Sequence, residues 1–215
     1  IKKLFESTER GTPEDFDLLL QDIVDDPSMN GGKGGDADES YAVDQVRDGN
    51  QKNSLHFAAQ QGNLALCRHL VEAHKVPVDS QDVEGETPLS LSAASAKTEV
   101  VHFLLDCGAN PNVVSSSSSL PIHRCCLVGD VDSLRKMVAC GAHVNAPSDM
   151  GTPLHCAAGC GNAECVQFLL SQPGVDMETQ DESGVSPLMA SVAYGKEEIV
   201  NLLLEAGADP NSGAG

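Results

Sequence analysis

Apolar residues recur along this chain in two alternating short patterns, each at helical spacing. One is a compact run rich in Ala and Leu, as in Leu154, Ala157 and Ala158, closed by Gly161. The other is a leucine-bearing stripe, as in Leu104 and Leu105, followed by Gly108 and Ala109. Residues three and four apart share a helix face, so each pattern predicts a short helix with one buried side. The glycine after the first pattern predicts a left-handed stop. Both helices fall below the roughly 12–15 residues at which an isolated helix is even marginal, so each needs a neighbour to pack on.

The two patterns form one repeated unit, Thr-Pro-Leu-His-x-Ala-Ala-x-x-Gly followed by a helix ending Leu-Leu-x-x-Gly-Ala-x-x-Asn. The fullest copy runs Thr152, Pro153, Leu154, His155, Cys156, Ala157, Ala158, Gly159, Cys160, Gly161 and continues through Val166, Leu169 and Leu170. A second begins Thr87, Pro88, Leu89 and ends Gly108, Ala109, Asn110, Pro111, Asn112; a third begins Ser186, Pro187, Leu188 and ends Gly207, Ala208, Asp209, Pro210, Asn211. Two further copies carry Asn53, Ser54, Leu55, His56 and Leu120, Pro121, Ile122, His123. The Thr position therefore falls at residues 53, 87, 120, 152 and 186, with spacings of 34, 33, 32 and 34. Thr suits the N-cap because its oxygen accepts a backbone N–H, and Pro suits the first helical position because its missing N–H would be unpaired there anyway.

These residues and this period of about 33 resemble the ankyrin-repeat family over nearly the whole chain. The resemblance implies an all-α solenoid of about six helix-turn-helix repeats with a degenerate N-terminal cap. The cap is read from Leu4, Gly11, Phe16, Leu19 and Leu20, which keep the register of Leu154, Gly161, Val166, Leu169 and Leu170. The expected organisation is a capping helix pair over 1–24, an acidic Gly-rich loop over 25–45, and five repeats over 46–80, 81–113, 114–145, 146–178 and 179–211. Residues 212–215 open toward a continuation. Residues 25–45, with Gly31, Gly32, Gly34, Gly35, Asp36, Asp38 and Glu39, lack the apolar area to offset ordering. The run Ser115–Ser119 is expected to be a loose turn, and the turn before Thr152 is one residue short. The order of cap, loop and five repeats is also similar to ankyrin regions of plant-type proteins that end in tetratricopeptide repeats, which implies chaperone docking.

Composition narrows the function. Formal net charge is −19, with −8 in residues 1–50 and −7 in residues 171–215. Such a surface repels phosphates and anionic headgroups, which argues against nucleic acid and membrane as partners. No apolar stretch reaches the length of a membrane span. The chain starts at Ile1 without Met and reads as part of a longer protein. Of eight cysteines, Cys67, Cys125, Cys126, Cys156 and Cys165 sit among Ala, Leu and Val in helical patterns. They read as small buried hydrophobes in a reducing compartment, so the expected location is the cytoplasm, with the nucleus as alternative.

Candidate chemistry is thin. His155, Cys156, Cys160 and Cys165, with His123, Cys125, Cys126, Cys140 and His143 one repeat earlier, raise a zinc site. No Cys-x-x-Cys pair occurs, and in the family the motif histidines bond neighbouring backbone; no metal and no cofactor are expected. No strand-turn-helix elbow or paired acid presents a nucleophile, and Lys33 among its glycines lacks the following Ser/Thr of a phosphate loop, so no catalytic residue is assigned. Asn112, Asn145 and Asn211 match the family's asparagine-hydroxylation position, whose ordinary role is to satisfy loop backbone. The resemblance instead implies partner binding on a concave face made of turn tips and first-helix edges. Carried over by position, that face holds Asn50, Lys52, Gln60 and Gln61; Val83, Glu84, Glu86 and Ser95; Leu127 and Val128; Met150 and Cys160; and Glu182, Ser183, Val185 and Tyr194. The expected function is a monomeric scaffold or adaptor for other proteins, not an enzyme; the alternative is a regulatory or substrate-targeting module of a larger enzyme or chaperone-linked protein.

Overall fold

The computed structural model describes residues 11–24, 43–44 and 46–212. Most of the expected acidic loop, the first helix of the expected cap and residues 213–215 lie outside these. Eleven α-helices and no strand occur among the described residues, as the repeat pattern implies. None is long and apolar enough to cross a membrane. The chain divides into two compact units, residues 1–109 and 110–215.

The first unit holds α1 (Pro13–Val24), α2 (Ser54–Gln61), α3 (Leu64–Glu72), α4 (Pro88–Ala94) and α5 (Thr98–Asp106). Inner helix α2 packs on α4, outer helix α3 on α5, and α1 on α3. Thus α1 takes the place of an outer helix. Phe16, Leu55, Leu66, Leu70, Leu89 and Leu104 are fully buried between these layers. The second unit repeats the plan with α6 (Pro121–Val128), α7 (Val131–Ala139), α8 (Pro153–Cys160), α9 (Ala163–Leu170), α10 (Pro187–Ala193) and α11 (Glu197–Glu205). Inner helices α6, α8 and α10 stack in order, as do outer helices α7, α9 and α11. Ile122, Leu134, Met137, Leu154, Leu169 and Leu203 are fully enclosed there.

Local chemistry sets the helix ends. Thr87 Oγ1 accepts from Ser90 N–H (3.2 Å) and Ser186 Oγ from Met189 N–H (3.3 Å), as the N-cap reading requires. At Thr152 the hydroxyl turns instead to His155 Nδ1 (2.9 Å), which also accepts the Thr152 N–H (3.1 Å). Gly62, Gly129 and Gly161 close their helices at φ of 82°, 80° and 83°, a region costly for side-chain-bearing residues. On the outer layer Arg68 lies over Phe103 (4.8 Å to the ring centre) and Arg135 over Phe168 (4.6 Å). These pairs hold the same register, one in each unit, and each fixes one outer helix against the next by a cation–π contact.

Candidate functional site

The turn tips between repeats are built, not loose. Asp48 Oδ1 accepts from the N–H groups of Asn50 (2.9 Å) and Lys52 (2.8 Å). Asp82 does the same for Glu84 and Glu86, and Asp181 for Ser183 and Val185. In each, the aspartate N–H donates across the turn to the carbonyl four residues on. The serine run keeps this design: Ser115 N–H donates to the Ser119 carbonyl (3.2 Å), and Ser118 takes the left-handed conformation held by Gly85 and Gly184. The expected loose turn therefore has the same backbone closure, and the Ser115 hydroxyl adds a second bond to the Ser119 carbonyl (3.2 Å) instead of accepting the turn N–H groups. The short turn closes one residue earlier, Ser148 N–H to the Gly151 carbonyl (3.0 Å). A Cβ at Gly151 would stand 2.6 Å from His155 Cγ, so only glycine fits.

The motif histidines tie one repeat to the next. His56 Nδ1 accepts from the Asn53 N–H (3.2 Å), which leaves the ring proton on Nε2 for the Glu86 carbonyl (3.1 Å). His123 bridges Leu120 and Ala146, and His155 bridges Thr152 and Val185, in the same way. Burial pushes His56 down to about 4 and holds His123 and His155 below the usual histidine range. At the equivalent position in the next repeat, Ser90 Oγ accepts from Thr87 N–H (2.9 Å). Asn112 and Asn145 span adjacent loops: their amides donate to Gly141 (2.9 Å) and Gly174 (2.7 Å), and their oxygens accept from His143 and Asp176. Asn211 bonds within its own turn, to Asp209.

On this frame the expected contact residues separate by exposure. In the first unit Asn50, Gln61, Val83 and Glu84 are exposed, while Lys52, Gln60 and Ser95 are half-buried. Lys52 Nζ stands 3.7 Å from the buried Asp82 carboxylate. Val83 is 61% exposed although its N–H is tied to the Asn50 carbonyl. Glu86 departs from the expectation. Its turn bond to Asp82 directs the side chain inward, where it is buried and accepts from Ser90 Oγ (2.5 Å), so a partner cannot reach it. In the second unit Val128, Met150, Cys160, Glu182, Ser183 and Tyr194 are exposed; Leu127 and Val185 are half-buried. Tyr194 is 70% exposed, and its ring carbons stand 3.4–3.5 Å from where a Gly159 side chain would begin. The ring is thus propped on α8 without being covered. A shallow groove runs between the turn tips at Ser148–Thr152 and Thr179–Glu182. Sequence reasoning passed over Val114, Val192 and Leu204, which are also exposed apolar residues here.

The cysteines separate as sharply. Cys67, Cys125, Cys126, Cys156 and Cys165 are buried, whereas Cys107, Cys140 and Cys160 are exposed. Burial pushes the Cys67 and Cys156 thiols up to about 12 and Cys165 to about 11, which suppresses the reactive thiolate. Iodoacetamide under native conditions is expected to modify the three exposed cysteines quickly and the five buried ones only after denaturant is added, as read by peptide mass spectrometry. Rapid native labelling of Cys67 or Cys126 would contradict the packing described.

Neither zinc grouping raised from the sequence is assembled, since His123 and His155 spend both ring nitrogens on backbone. The described residues do bring together a different group, Asp17, His69 and His74, whose ligand atoms lie within 4.8 Å of one another. Separations of 52 and 57 residues hid it from any short-motif search.

Short paired helices, a histidine bridge between neighbours and Asp-pinned turns define an all-α stack of helix-turn-helix repeats. A family model for ankyrin repeats matches residues 5–115 and 122–214. The chain belongs to the ankyrin-repeat family, whose repeats are in general protein–protein interaction modules. It is 30% identical over 180 residues to the ankyrin repeat protein nuc-2 of Neurospora crassa, covering 83% of this chain and 16% of that protein. It is 29% identical over 178 residues to the E3 ubiquitin-protein ligase KEG of Arabidopsis thaliana, covering 81% and 11%. It is 28% identical over 185 residues to the B-cell lymphoma 3 protein homolog of Mus musculus, covering 82% and 41%. In each case the chain spans less than half of its relative.

Proposed function

We propose that this chain is a scaffold or adaptor module that binds other proteins through its turn tips and inner-helix edges, the concave face of the family. The observation that carries this reading is Tyr194, a large amphipathic ring left 70% exposed on a rigid support. Met150 (49% exposed) and Val192 (60%) add apolar surface in the same unit, which also carries the acidic Asp181 and Glu182. Aromatic anchors with a polar rim are what interfaces use, and a fixed ring loses little entropy on binding. The net charge of −19 favours a partner of basic character.

Affinity capture with the parent chain and with Tyr194→Asp tests this, with circular dichroism to verify both folds. Val185 is better left intact, because it is half-buried and its carbonyl receives His155. Specific partners are expected to disappear with the variant. Recovery of the same partners by both forms would move the binding surface elsewhere. A second reading, a regulatory or substrate-targeting module within a larger enzyme, is supported by the ligase KEG and the tyrosine-protein kinase HTK16 of Hydra vulgaris, 25% identical over 151 residues. Sequence flanking the chain distinguishes the two.

A further inference from the structure

Asp17 on α1, His69 on α3 and His74 just beyond it meet on the outer layer of the first unit. His69 Nε2 lies 2.8 Å from both carboxylate oxygens of Asp17, and His74 Nε2 lies 2.8 Å from Oδ1. The two imidazoles stand edge to face at 4.9 Å, with Phe16 packed against His74. Asp17 is 45% exposed, so solvent reaches the cluster from one side, while His69 and His74 are 25% and 13% exposed.

The position of this cluster in the repeat register makes it distinctive. Asp17 is six residues after Gly11, as Arg68 is after Gly62 and Arg135 after Gly129. His69 is seven after Gly62, as Phe168 is after Gly161. Where α3 meets α5, and α7 meets α9, through Arg over Phe, this junction has Asp against His, with a second His brought in from the following loop.

We propose that Asp17, His69 and His74 form a binding site for one divalent transition-metal ion of the zinc class, joining α1 to the repeat that contains α2 and α3. Two imidazole nitrogens and one carboxylate are a donor set that suits zinc and cobalt and disfavours magnesium and calcium, which want all-oxygen shells. Metal–ligand bonds of about 2.0–2.1 Å place tetrahedral ligand atoms about 3.4 Å apart. The Asp17–His separations of 2.8 Å therefore need to open by only a fraction of an ångström. With no metal bound, each Nε2–H donates to Asp17. On binding, each Nε2 gives up its proton to become the ligand atom, and the ring proton sits on Nδ1. Three protein ligands leave the fourth position to water, on the exposed side of Asp17. Because the ligands come from two repeats, the ion would bind the folded junction only and would stabilise it by mass action.

The full chain is titrated with zinc and with cobalt, after Cys107, Cys140 and Cys160 are changed to Ser to remove competing exposed thiols. One ion per chain is expected by calorimetry. Cobalt should give the visible absorption of a tetrahedral nitrogen–oxygen site. Zinc should raise the unfolding midpoint by about 3 °C or more at saturation, and magnesium should not. Asp17→Asn and His74→Gln, each verified as folded by circular dichroism, should lose the stoichiometric site and the cobalt band. Asp17 sits at the solvent edge, so Asp17→Asn keeps the test valid should His74→Gln unfold. No zinc-dependent shift and no cobalt band in the parent would overturn the assignment, as would an undiminished site in the Asp17→Asn variant.

Discussion

Leu169→Ala and Leu104→Ala are each expected to destabilise the chain by about 2–5 kcal/mol in denaturant titration. Both side chains have zero exposure. Leu169 lies on α9, which packs against α8 and against both neighbouring outer helices, α7 and α11. Leu104 lies on α5, packed against α3 and α4. Truncation removes the transfer free energy of the lost methyls and leaves a cavity, because helices of nine residues or fewer, each held by others, cannot collapse into it independently. A repeat array has no distant core to compensate: stability is a sum of repeats and nearest-neighbour contacts, so one void weakens two interfaces together. A loss below about 0.5 kcal/mol at either site would contradict the burial on which the stack depends.

These two leucines were legible because the repeat is a register, and a register predicts burial from position alone. The same logic located the N-caps, the glycine stops and the asparagines that span loops. It failed where a residue's fate depends on the turn rather than on the period. Glu86 occupies an outward-reading position, yet the backbone bond from Asp82 turns its side chain onto Ser90. The serine run reads as a loose turn, but its backbone closes like the Asp turns, with the Ser115 N–H and hydroxyl both donating to the Ser119 carbonyl. Asp17, His69 and His74 escaped for a different reason. Each is unremarkable alone, and only the register position of Asp17 and His69, set against Arg68–Phe103 and Arg135–Phe168, shows that this junction departs from those two. The exposure of Val83, Met150 and Tyr194 was legible because apolar residues at turn and inner-helix positions have no core to enter.

Stability is expected to fall as pH drops from about 6.5 toward 4, with His56 the largest single cause. His56 is fully buried, and its Nδ1 is already committed to accepting the Asn53 N–H. Burial lowers its pKa from 6.5 to about 4, against a smaller opposing effect of the bond to the Glu86 carbonyl. Above about 6.5 the ring is neutral in folded and unfolded chains alike, and it contributes no pH dependence. Between 6.5 and 4 the unfolded chain binds a proton that the folded chain refuses, so each step down in pH favours unfolding. Below about 4 both states are protonated and the loss levels off near 3 kcal/mol as an order of magnitude. His123 and His155 are shifted in the same direction and add to the slope in the second unit. Carboxylates such as Asp17, held low by its bonds to His69 and His74 despite burial acting the other way, contribute below their ordinary 3.8. Their window is therefore lower. The decisive comparison is His56→Ser, because the chain already uses Ser90 at the equivalent position, where the hydroxyl receives the N-cap N–H of Thr87. That variant keeps the helix start and removes the titrating ring. Urea midpoints measured from pH 7 to pH 4 should fall less steeply for His56→Ser than for the parent. Parallel curves would mean that the buried imidazole accepts its proton in place and that the bridge to Glu86 survives the charge.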